Sequence, residues 1–257
     1  MRLTTWNVNS IRARVDRVIA FLERSETDVL AMQELKCKPD QFPFEAFEAA
    51  GYEVAMTGFN QWNGVAIASR IGLEEVRREF PNQPAFGDKG IEARAIGASC
   101  GGTEVWSLYV PHGRALDNPH YQYKLAFLEE LAHYAADVVS DESAKLALVG
   151  DWNIAPLDED VWDISVFEGD THVSQPERDA FARFAEIGMT ELTRERVTNY
   201  TYWDYQKLRF PRNEGMRIDF VYASSALTAL ATNAEIDRDE RKGKGASDHV
   251  PVIVDFD

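Results

Sequence analysis

Residues 146–153 have the sequence LALVGDWN, and this stretch predicts a strand that ends in a polar turn. Its four leading apolar residues indicate a buried strand, and Gly150 allows the backbone to turn sharply. The turn presents the carboxylate of Asp151 and the carboxamide of Asn153. A carboxylate accepts protons or binds cations, whereas a carboxamide both donates and accepts hydrogen bonds. Two interpretations stay open: a functional site at a strand end, or two side chains that cap the following turn.

The first 34 residues predict a second pair of polar strand ends. Residues 2–6 are typical of a strand ending at Asn7, and Ser10 is expected to cap a helix with apolar residues at helical spacing. Residues 28–32 predict a buried strand that delivers Glu34. Parallel strands joined by a helix place their carboxyl ends on one edge of a sheet, where ligands bind in open α/β folds. Either residue alone is more often a local cap than a ligand.

The middle of the chain is typical of strands and turns. The short apolar or alternating runs 52–57, 64–69, 73–80, 93–99 and 103–110 are separated by glycine-containing turns, which predicts a β-meander. The last run ends close to Tyr109, His112 and Arg114, so a phenol, an imidazole and a guanidinium follow a third strand.

The remaining elements complete one predicted domain, residues 1–257. Helices are expected over residues 121–139 and 177–187, and strands over residues 218–222 and 250–256. Asp219 is the sole charged residue inside the first of these strands, and a buried charge needs a partner. Asp248 and His249 open the second strand. No internal repeat or linker divides the sequence.

The composition is that of an ordinary globular protein with an acidic balance. Hydrophobic residues make up 45% of the 257 residues, and 27 Lys and Arg face 43 Asp and Glu, a net charge of −16. This charge argues against a nucleic-acid partner at long range, although the basic residues are clustered, which would fit a bipolar molecule. The clusters are otherwise explained as solvated faces. No apolar run is long enough to span a bilayer, and polar residues interrupt any secretory leader in the first thirty residues, so we expect a cytoplasmic protein with Cys37 and Cys100 as free thiols.

The polar residues at the predicted strand ends suggest one site. Four carboxylates that converge would repel one another unless a cation or an imidazolium compensates. Oxygen-rich ligands suit Mg²⁺ or Mn²⁺, and the chain has too few thiols and imidazoles for a structural zinc site. Asp219 is suited to orienting one ring nitrogen of His249. The residues collected in this way are Asn7, Glu34, Tyr109, His112, Asp151, Asn153, Asp219, Asp248 and His249.

Seven short motifs follow one another from residue 6 to residue 249. They are Trp6-Asn7-Val8-Asn9, Gln33-Glu34-Leu35-Lys36, Asn63-Gly64-Val65-Ala66, Tyr109-Val110-Pro111, Gly150-Asp151-Trp152-Asn153-Ile154-Ala155-Pro156, Arg217-Ile218-Asp219 and Ser247-Asp248-His249. Each motif alone is weak, but together and in this order they resemble the motifs of the exonuclease III-type abasic-site endonucleases, within the wider endonuclease/exonuclease/phosphatase superfamily.

The resemblance implies an α/β fold: a four-layer αββα sandwich of two mixed sheets flanked by helices. It also implies a magnesium-dependent site, with Mn²⁺ as an alternative ion, that cleaves DNA 5′ to abasic sites, degrades strands 3′→5′ and trims 3′ ends as a phosphatase or phosphodiesterase. The implied metal ligands are Glu34, with Asn7 and Asp248 nearby.

The resemblance further implies roles for the other strand-end residues. Asp151 would align or deprotonate the attacking water, and Asn153 would hold that water or the phosphate. The pair Asp219–His249 would stabilise the phosphate oxygens, and Tyr109 would lie close to the scissile phosphate or the leaving oxygen. These roles match what phosphodiester cleavage requires, namely an in-line water, charge neutralisation and help for the leaving group.

An apolar pocket for a flipped-out, base-less sugar is a further implication. Such a pocket selects a nucleotide that has lost its stacking, because extruding it costs little. Trp203 is equally well explained as an ordinary core residue. The candidate pocket residues are Tyr202, Trp203, Met216 and Ile218. The candidate contacts to the DNA backbone are Arg12, Lys36, Lys89, Arg114, Lys207 and Arg209.

One position departs from the family pattern. His112 stands where the family usually has Asn after Tyr-x-Pro, so a titratable ring replaces a phosphate-binding carboxamide. We therefore expect the activity to depend on pH between about 5.5 and 7.5 through His112 or His249.

Two rival functions are weighed against abasic-site repair. The first is another phosphodiesterase of the same fold, acting on intact DNA or on phospholipid or inositol phosphates. The second is a catalytically silent nucleic-acid-binding relative, although Glu34, Asp151 and His249 are all retained. As partner we expect double-stranded DNA with abasic sites or 3′ ends and no membrane, bound by a monomer.

Overall fold

The computed structural model describes residues 1–257, except for the side chain of Lys89. The strands in chain order are β1 (Arg2–Asn7), β2 (Val29–Gln33), β3 (Glu53–Thr57), β4 (Val65–Ser69), β5 (Glu74–Arg77), β6 (Ala95–Cys100), β7 (Thr103–Tyr109), β8 (Leu146–Asp151), β9 (Thr190–Glu191), β10 (Asp219–Ala223), β11 (Ala231–Ile236) and β12 (Val252–Phe256). The helices are α1 (Val15–Ser25), α2 (Phe44–Ala49), α3 (Pro119–Val139), α4 (Gln175–Glu186) and α5 (Ser225–Thr228).

The strands form two mixed sheets of six. The first has the order β11-β12-β1-β2-β4-β3, and the second has the order β5-β6-β7-β8-β10-β9. Within each sheet one central pair is parallel, β1 with β2 and β7 with β8, and the connections across these pairs contain α1 and α3 respectively. The strand ends that carry the polar motifs therefore lie on the same edge, as the sequence predicts.

Three apolar layers hold the four-layer sandwich together. The inner layer packs one sheet on the other, with Leu3 and Ile67 facing Val105 and Val149. On the outer face of the first sheet, buried side chains of α1 and α2 cover residues such as Trp6. On the outer face of the second sheet, α3 and α4 bury a layer rich in aromatic rings. The predicted αββα fold is confirmed.

Two local predictions are wrong. Ser10 caps no helix: it has a φ of 91° and no capping hydrogen bond, and its backbone N–H donates to the carbonyl of Glu34 at 2.7 Å. A short 3-10 turn follows, and α1 begins only at Val15. The predicted meander is also not one sheet, because β3 and β4 belong to the first sheet while β5, β6 and β7 belong to the second.

Candidate active site

A cavity of about 440 Å³ opens at the edge where the polar strand ends meet. Asp151 at the end of β8 pairs with Tyr109 of β7 on one side and with Asp219 of β10 on the other. Across the sandwich, Asn7 ends β1 and Glu34 follows β2. The predicted site residues that line the cavity are Glu34, Tyr109, His112, Arg114, Asp151, Asn153, Tyr202, Met216, Ile218, Asp248 and His249.

Gly150 explains how the chain presents Asp151. Its φ is 152°, and a Cβ at this position would lie 1.9 Å from the carbonyl oxygen of Leu108 on the neighbouring strand. Only glycine permits this approach. Glu34 and Asn153 are among the site residues with a left-handed backbone, each with a φ of 52°. Such backbone strain concentrates at functional sites.

Asn7 connects the carboxylates of the two sheets. Its Nδ2 donates to Glu34 Oε1 at 2.9 Å and to Asp151 Oδ2 at 2.9 Å. The amide orientation is fixed from the other side, because the backbone N–H of Asn9 donates to Asn7 Oδ1 at 3.0 Å. Asn9 also donates through Nδ2 to Asp248 Oδ1 at 2.9 Å. One carboxamide therefore sets the separation of two carboxylates from different sheets.

The imidazole of His249 lies between two buried carboxylates. Its Nδ1 is 2.9 Å from Asp219 Oδ2, and its Nε2 is 3.7 Å from Asp151 Oδ2. Burial opposes a charge on the ring, but Asp219 and Asp151 outweigh burial and raise the pKa of His249. The two carboxylates therefore favour the protonated ring, whose Nδ1 donates to Asp219, whereas 3.7 Å is too long for a hydrogen bond from Nε2 to Asp151. The buried charge of Asp219 has the partner that the sequence requires.

Asp151 is suited to accepting a proton. Burial raises the pKa of this carboxyl group, while His249 lowers it. A general base works best when its pKa lies near the operating pH. The other carboxylate oxygen, Oδ1, accepts from the backbone N–H of Asn153 at 3.0 Å, which fixes the direction of the side chain.

Glu34 remains an anion and supplies oxygen ligands. Burial would raise the pKa of its carboxyl group, but Lys36, whose Nζ lies 2.8 Å from Glu34 Oε2, lowers it. Ligand atoms of Glu34, Asp151 and His249 all lie within 4.8 Å of one another. Because the neighbouring carboxylates favour the protonated imidazole, the donors offered to a metal are the carboxylate oxygens, and these fit a hard divalent cation.

The charge balance points to the same cation. Within hydrogen-bond or ion-pair distance, the acids Glu34, Asp151 and Asp219 meet the ammonium of Lys36 and the imidazole of His249, while the guanidinium groups of Arg114 and Arg209 line the same cavity. A divalent ion beside Glu34 would reduce the repulsion among the acids. Asp248 lines the cavity. Among the residues that the structure describes, it does not belong to the cluster of Glu34, Asp151 and His249.

Tyr109 offers a phenol to the cavity. Burial raises the pKa of this group well above its ordinary value, so the hydroxyl keeps its proton and is a hydrogen-bond donor. The guanidinium of the buried Arg94 lies 4.8 Å from the centre of the ring and supports it from beneath. Cation–π contacts of this kind stabilise a ring in one position.

A pair of imidazoles forms one wall of the cavity. His112 Nδ1 accepts from the backbone N–H of Arg114 at 3.1 Å, which places the ring proton on Nε2. This Nε2 lies 3.2 Å from Nε2 of His172, whose Nδ1 contacts the carbonyl of Asn153. Desolvation and the nearby Lys124 ammonium lower the pKa of both rings. The pKa values of His112 and His249 therefore move in opposite directions from the ordinary imidazole value.

Three of the four residues predicted to form a sugar pocket line the cavity, and the fourth does not. Tyr202, Met216 and Ile218 line the cavity, and the ring of Tyr202 lies 4.9 Å from that of His249. Trp203 does not line it, because its side chain is fully buried in the core between the sheets. Adjacent residues in an extended segment point to opposite sides, so Tyr202 and Trp203 face different environments.

Several site residues are not identified by sequence reasoning. Asn9 and His172 contact Asp248 and Asn153 respectively, and Lys36, proposed only as a DNA contact, binds Glu34. The Asn9 and Lys36 positions lie inside recognised motifs, whereas His172 lies in an acidic loop without any pattern. Of the proposed backbone contacts, Arg114 and Arg209 line the cavity, Arg12 and Lys207 are exposed, and the side chain of Lys89 lies outside the described residues.

Comparison with known families agrees with this geometry. Residues 4–249 match the endonuclease/exonuclease/phosphatase family, so the chain belongs to that family. Within it the chain is of the exonuclease III type. It is 27% identical to exodeoxyribonuclease III of Haemophilus influenzae over 270 aligned positions, which cover all of both chains.

Solved structures give the same result at higher identity. An AP endonuclease from Archaeoglobus fulgidus is 33% identical with a TM-score of 0.93, over 100% of this chain and 99% of that one. A 3′ phosphatase from Neisseria, solved with a product DNA hairpin, is 34% identical with a TM-score of 0.94 over the same shares. A 3′-5′ exonuclease from Neisseria meningitidis is 35% identical with a TM-score of 0.93, over the whole of both chains.

Proposed function

We propose that this protein is a magnesium-dependent DNA-repair hydrolase that cleaves 5′ to abasic sites, degrades strands 3′→5′ and trims 3′ ends. The observation that carries the proposal is the convergence of Asp151, His249 and Glu34, tied together through Asn7, at a cavity between the sheets. The similarity to an AP endonuclease, a 3′-5′ exonuclease and a 3′ phosphatase supports all three activities.

The residues of the site divide the chemistry among them. Asp151, with a raised pKa, takes a proton from the attacking water, and the backbone N–H of Asn153 keeps that carboxylate in position. The imidazolium of His249 donates from Nε2 toward a phosphate oxygen, while Asp219 holds Nδ1. Donors aimed at developing negative charge are usually the largest contribution to catalysis. The phenol of Tyr109 donates to the phosphate or to the leaving oxygen.

Glu34 would hold the metal, together with Asp248 across the cavity. Asn7, which the sequence places near the ligands, would orient them instead, because its Nδ2 faces Glu34 and Asp151 while its Oδ1 accepts from the backbone N–H of Asn9. Mg²⁺ is our choice because the donors are carboxylate oxygens, and Mn²⁺ is the alternative. When bound, the ion would act as a Lewis acid that neutralises charge on the phosphoryl oxygens. Lys36, which is paired with Glu34 at 2.8 Å, would then be released to contact the DNA backbone.

The apolar side of the cavity would receive the sugar. Tyr202, Met216 and Ile218 present carbon surface next to His249, so a base-less or terminal sugar would place its phosphate at the imidazolium. A normal nucleotide would have to leave its stack before entering, which costs a few kcal/mol.

Three labelled duplexes test the proposal: one with an internal abasic analogue, one with a 3′ phosphate and one intact. We expect Mg²⁺-dependent incision, phosphate release and slow 3′→5′ shortening, and a loss of about 10²-fold or more in Asp151→Asn. The matched control is Asp137→Asn, an exposed acid on α3, which keeps wild-type rates. Cleavage of phosphoinositides with no action on any duplex would overturn the proposal.

We also propose that the enzyme is a cytoplasmic monomer. Among the residues that the structure describes, none of the helices is long and apolar enough to cross a membrane. Light scattering of the purified protein tests the monomer, and cell fractionation tests the location.

A further inference from the structure

A fully buried ion pair lies behind one wall of the cavity. Lys124 on α3 and Glu177 on α4 form an Nζ–Oε1 contact of 2.5 Å, and both side chains are 0% exposed. A buried pair of this kind is expensive, because desolvation of the two charges offsets most of their attraction. Well-packed apolar residues would join the two helices about as well. The presence of charges here therefore calls for another explanation.

The remaining hydrogen bonds of Lys124 point to residues of the cavity. Its Nζ donates to the carbonyl oxygen of Asn153 at 2.6 Å and lies 3.4 Å from that of His112. Asn153 has a left-handed backbone, with a φ of 52°, that costs free energy unless its surroundings hold it. The ammonium supplies such a hold, because it binds the carbonyl of this residue from inside the protein.

Glu177 binds a second loop, the one that precedes α4, as Lys124 binds the loop that follows β8. Its Oε1 accepts from the backbone N–H of His172 at 3.0 Å, and its Oε2 accepts from the hydroxyl of Ser174 at 2.6 Å. The loops are also joined directly, by a backbone hydrogen bond from the N–H of Ala155 to the carbonyl of His172 at 2.8 Å and by the contact of His172 Nδ1 with the carbonyl of Asn153. The ion pair thus connects both loops to the rigid layer formed by α3 and α4.

We propose that Lys124 and Glu177 are positioning residues that hold Asn153 and the His112–His172 wall in the geometry required for phosphate cleavage. This inference rests on the proposed function for its catalytic consequence, but the positioning of the two loops is independent of it. A pair that only joined helices would need no hydrogen bonds to cavity residues.

The double variant Lys124→Met/Glu177→Gln tests the proposal. Both charges disappear together, so no isolated charge is buried, and the amide oxygen still accepts from the loop of His172. We expect kcat on the 3′-phosphate duplex to fall by about tenfold or more, as when supporting hydrogen bonds around a site are removed, with KM within threefold. The thermal midpoint should stay close to that of the wild type, since apolar replacements of buried pairs are often neutral.

A matched control comes from another ion pair. Arg77 and Glu104 lie 2.6 Å apart on the second sheet and do not line the cavity. The variant Arg77→Met/Glu104→Gln should keep the wild-type kcat. An unchanged kcat in Lys124→Met/Glu177→Gln, or a loss of kcat that merely follows a loss of stability, would overturn the proposal. Should the double variant fail to fold, Glu177→Asp, which keeps both charges but shortens the reach to the backbone N–H of His172, is measured against the same criteria.

Amide hydrogen exchange tests the positioning of the two loops without depending on the proposed catalytic function. In the double variant the N–H of Ala155, which joins the two loops, should exchange at least about tenfold faster, while amides of β8 stay protected. This result would support positioning even if the wild type cleaved none of the three duplexes. Equal exchange at Ala155 in the wild type and the variant would contradict it.

Discussion

Asn7 occupies the position on which the geometry of the two carboxylates depends. Its single Nδ2 donates to both Glu34 and Asp151 at 2.9 Å, so removing it leaves two acids facing each other without a bridge. We expect Asn7→Ala to lower kcat by about 10–100-fold, as is typical for residues that orient metal ligands. Steady-state cleavage of the 3′-phosphate duplex measures this. Asn233→Ala, at an exposed position, is the control, and an equal effect of both substitutions would refute the role of Asn7.

Gly150 illustrates a backbone requirement at the same scale. A methyl group here would meet the carbonyl oxygen of Leu108 at 1.9 Å, so β7 and β8 would have to separate. We expect Gly150→Ala to lower the free energy of unfolding by about 3 kcal/mol, as overpacking in a well-packed core does. Urea unfolding provides the measurement. Gly102→Ala is the matched control, because its φ of 79° is also positive but nothing lies within 4 Å. Equal losses in the two variants would show that the close approach is unimportant.

At the scale of elements, the first turn of α3 predicts a pH dependence of stability. His120 is buried there, and its Nδ1 accepts from the backbone N–H of Gly113 at 3.1 Å. Burial and the nearby Arg94 lower the pKa of His120 to about 3. In the unfolded chain the His120 imidazole binds a proton near pH 6.5, whereas in the folded chain it stays neutral until about pH 3. The free energy of unfolding is therefore highest above pH 6.5 and decreases as the pH falls toward 3.

The size of the change in the free energy of unfolding follows from the linkage between proton binding at His120 and folding. Between pH 7 and pH 5 we expect a loss of about 2 kcal/mol through His120. His120→Gln keeps an acceptor for Gly113 and should flatten the decline, whereas His133→Gln, at an exposed position on α3, should not. Urea unfolding at several pH values checks this expectation. A wild-type decline that persists unchanged in His120→Gln would contradict it.

The elements differ in how well the sequence predicts them. The strands β1, β2, β8, β10 and β12 and the helices α3 and α4 are predicted, because buried apolar runs and helical spacing are strong local signals. The edge strand β11 is missed, because half of its residues are exposed and its pattern is weak. The division of the predicted meander between two sheets is also missed, since pairing across the sandwich is decided by tertiary packing.

The site shows the same division between local and tertiary information. Asp151, Glu34 and His249 stand at strand ends within motifs, so their convergence is predictable from the sequence. Lys124 and His172 are not, because their contacts are made by elements that carry no motif. The sequence explains Trp203 equally well as a pocket residue and as a core residue, and only the packing of the extended segment places it in the core.

On the scale of the whole molecule, the net charge of −16 sets the conditions for binding DNA. Long-range repulsion must be overcome by local contacts from residues such as Arg114 and Arg209 at the cavity. If two phosphates are neutralised, affinity should fall about tenfold between about 50 and 200 mM salt. Fluorescence anisotropy with the 3′-phosphate duplex and the Asp151→Asn variant, in which cleavage is slowed, measures this. Affinity independent of salt would show that basic residues do not contact the backbone.

The dependence of cleavage on Mg²⁺ tests most directly whether the two sheets build one site for a cation and a phosphate. The wild type should release phosphate from the 3′-phosphate duplex with Mg²⁺ and lose this activity in EDTA. Because a metal ligand is lost, Glu34→Gln should need a Mg²⁺ concentration at least about tenfold higher for half-maximal activity. The control Glu45→Gln, at an exposed position, should have the Mg²⁺ requirement of the wild type. Cleavage that resists EDTA, or an unchanged Mg²⁺ requirement in Glu34→Gln, would contradict the shared site.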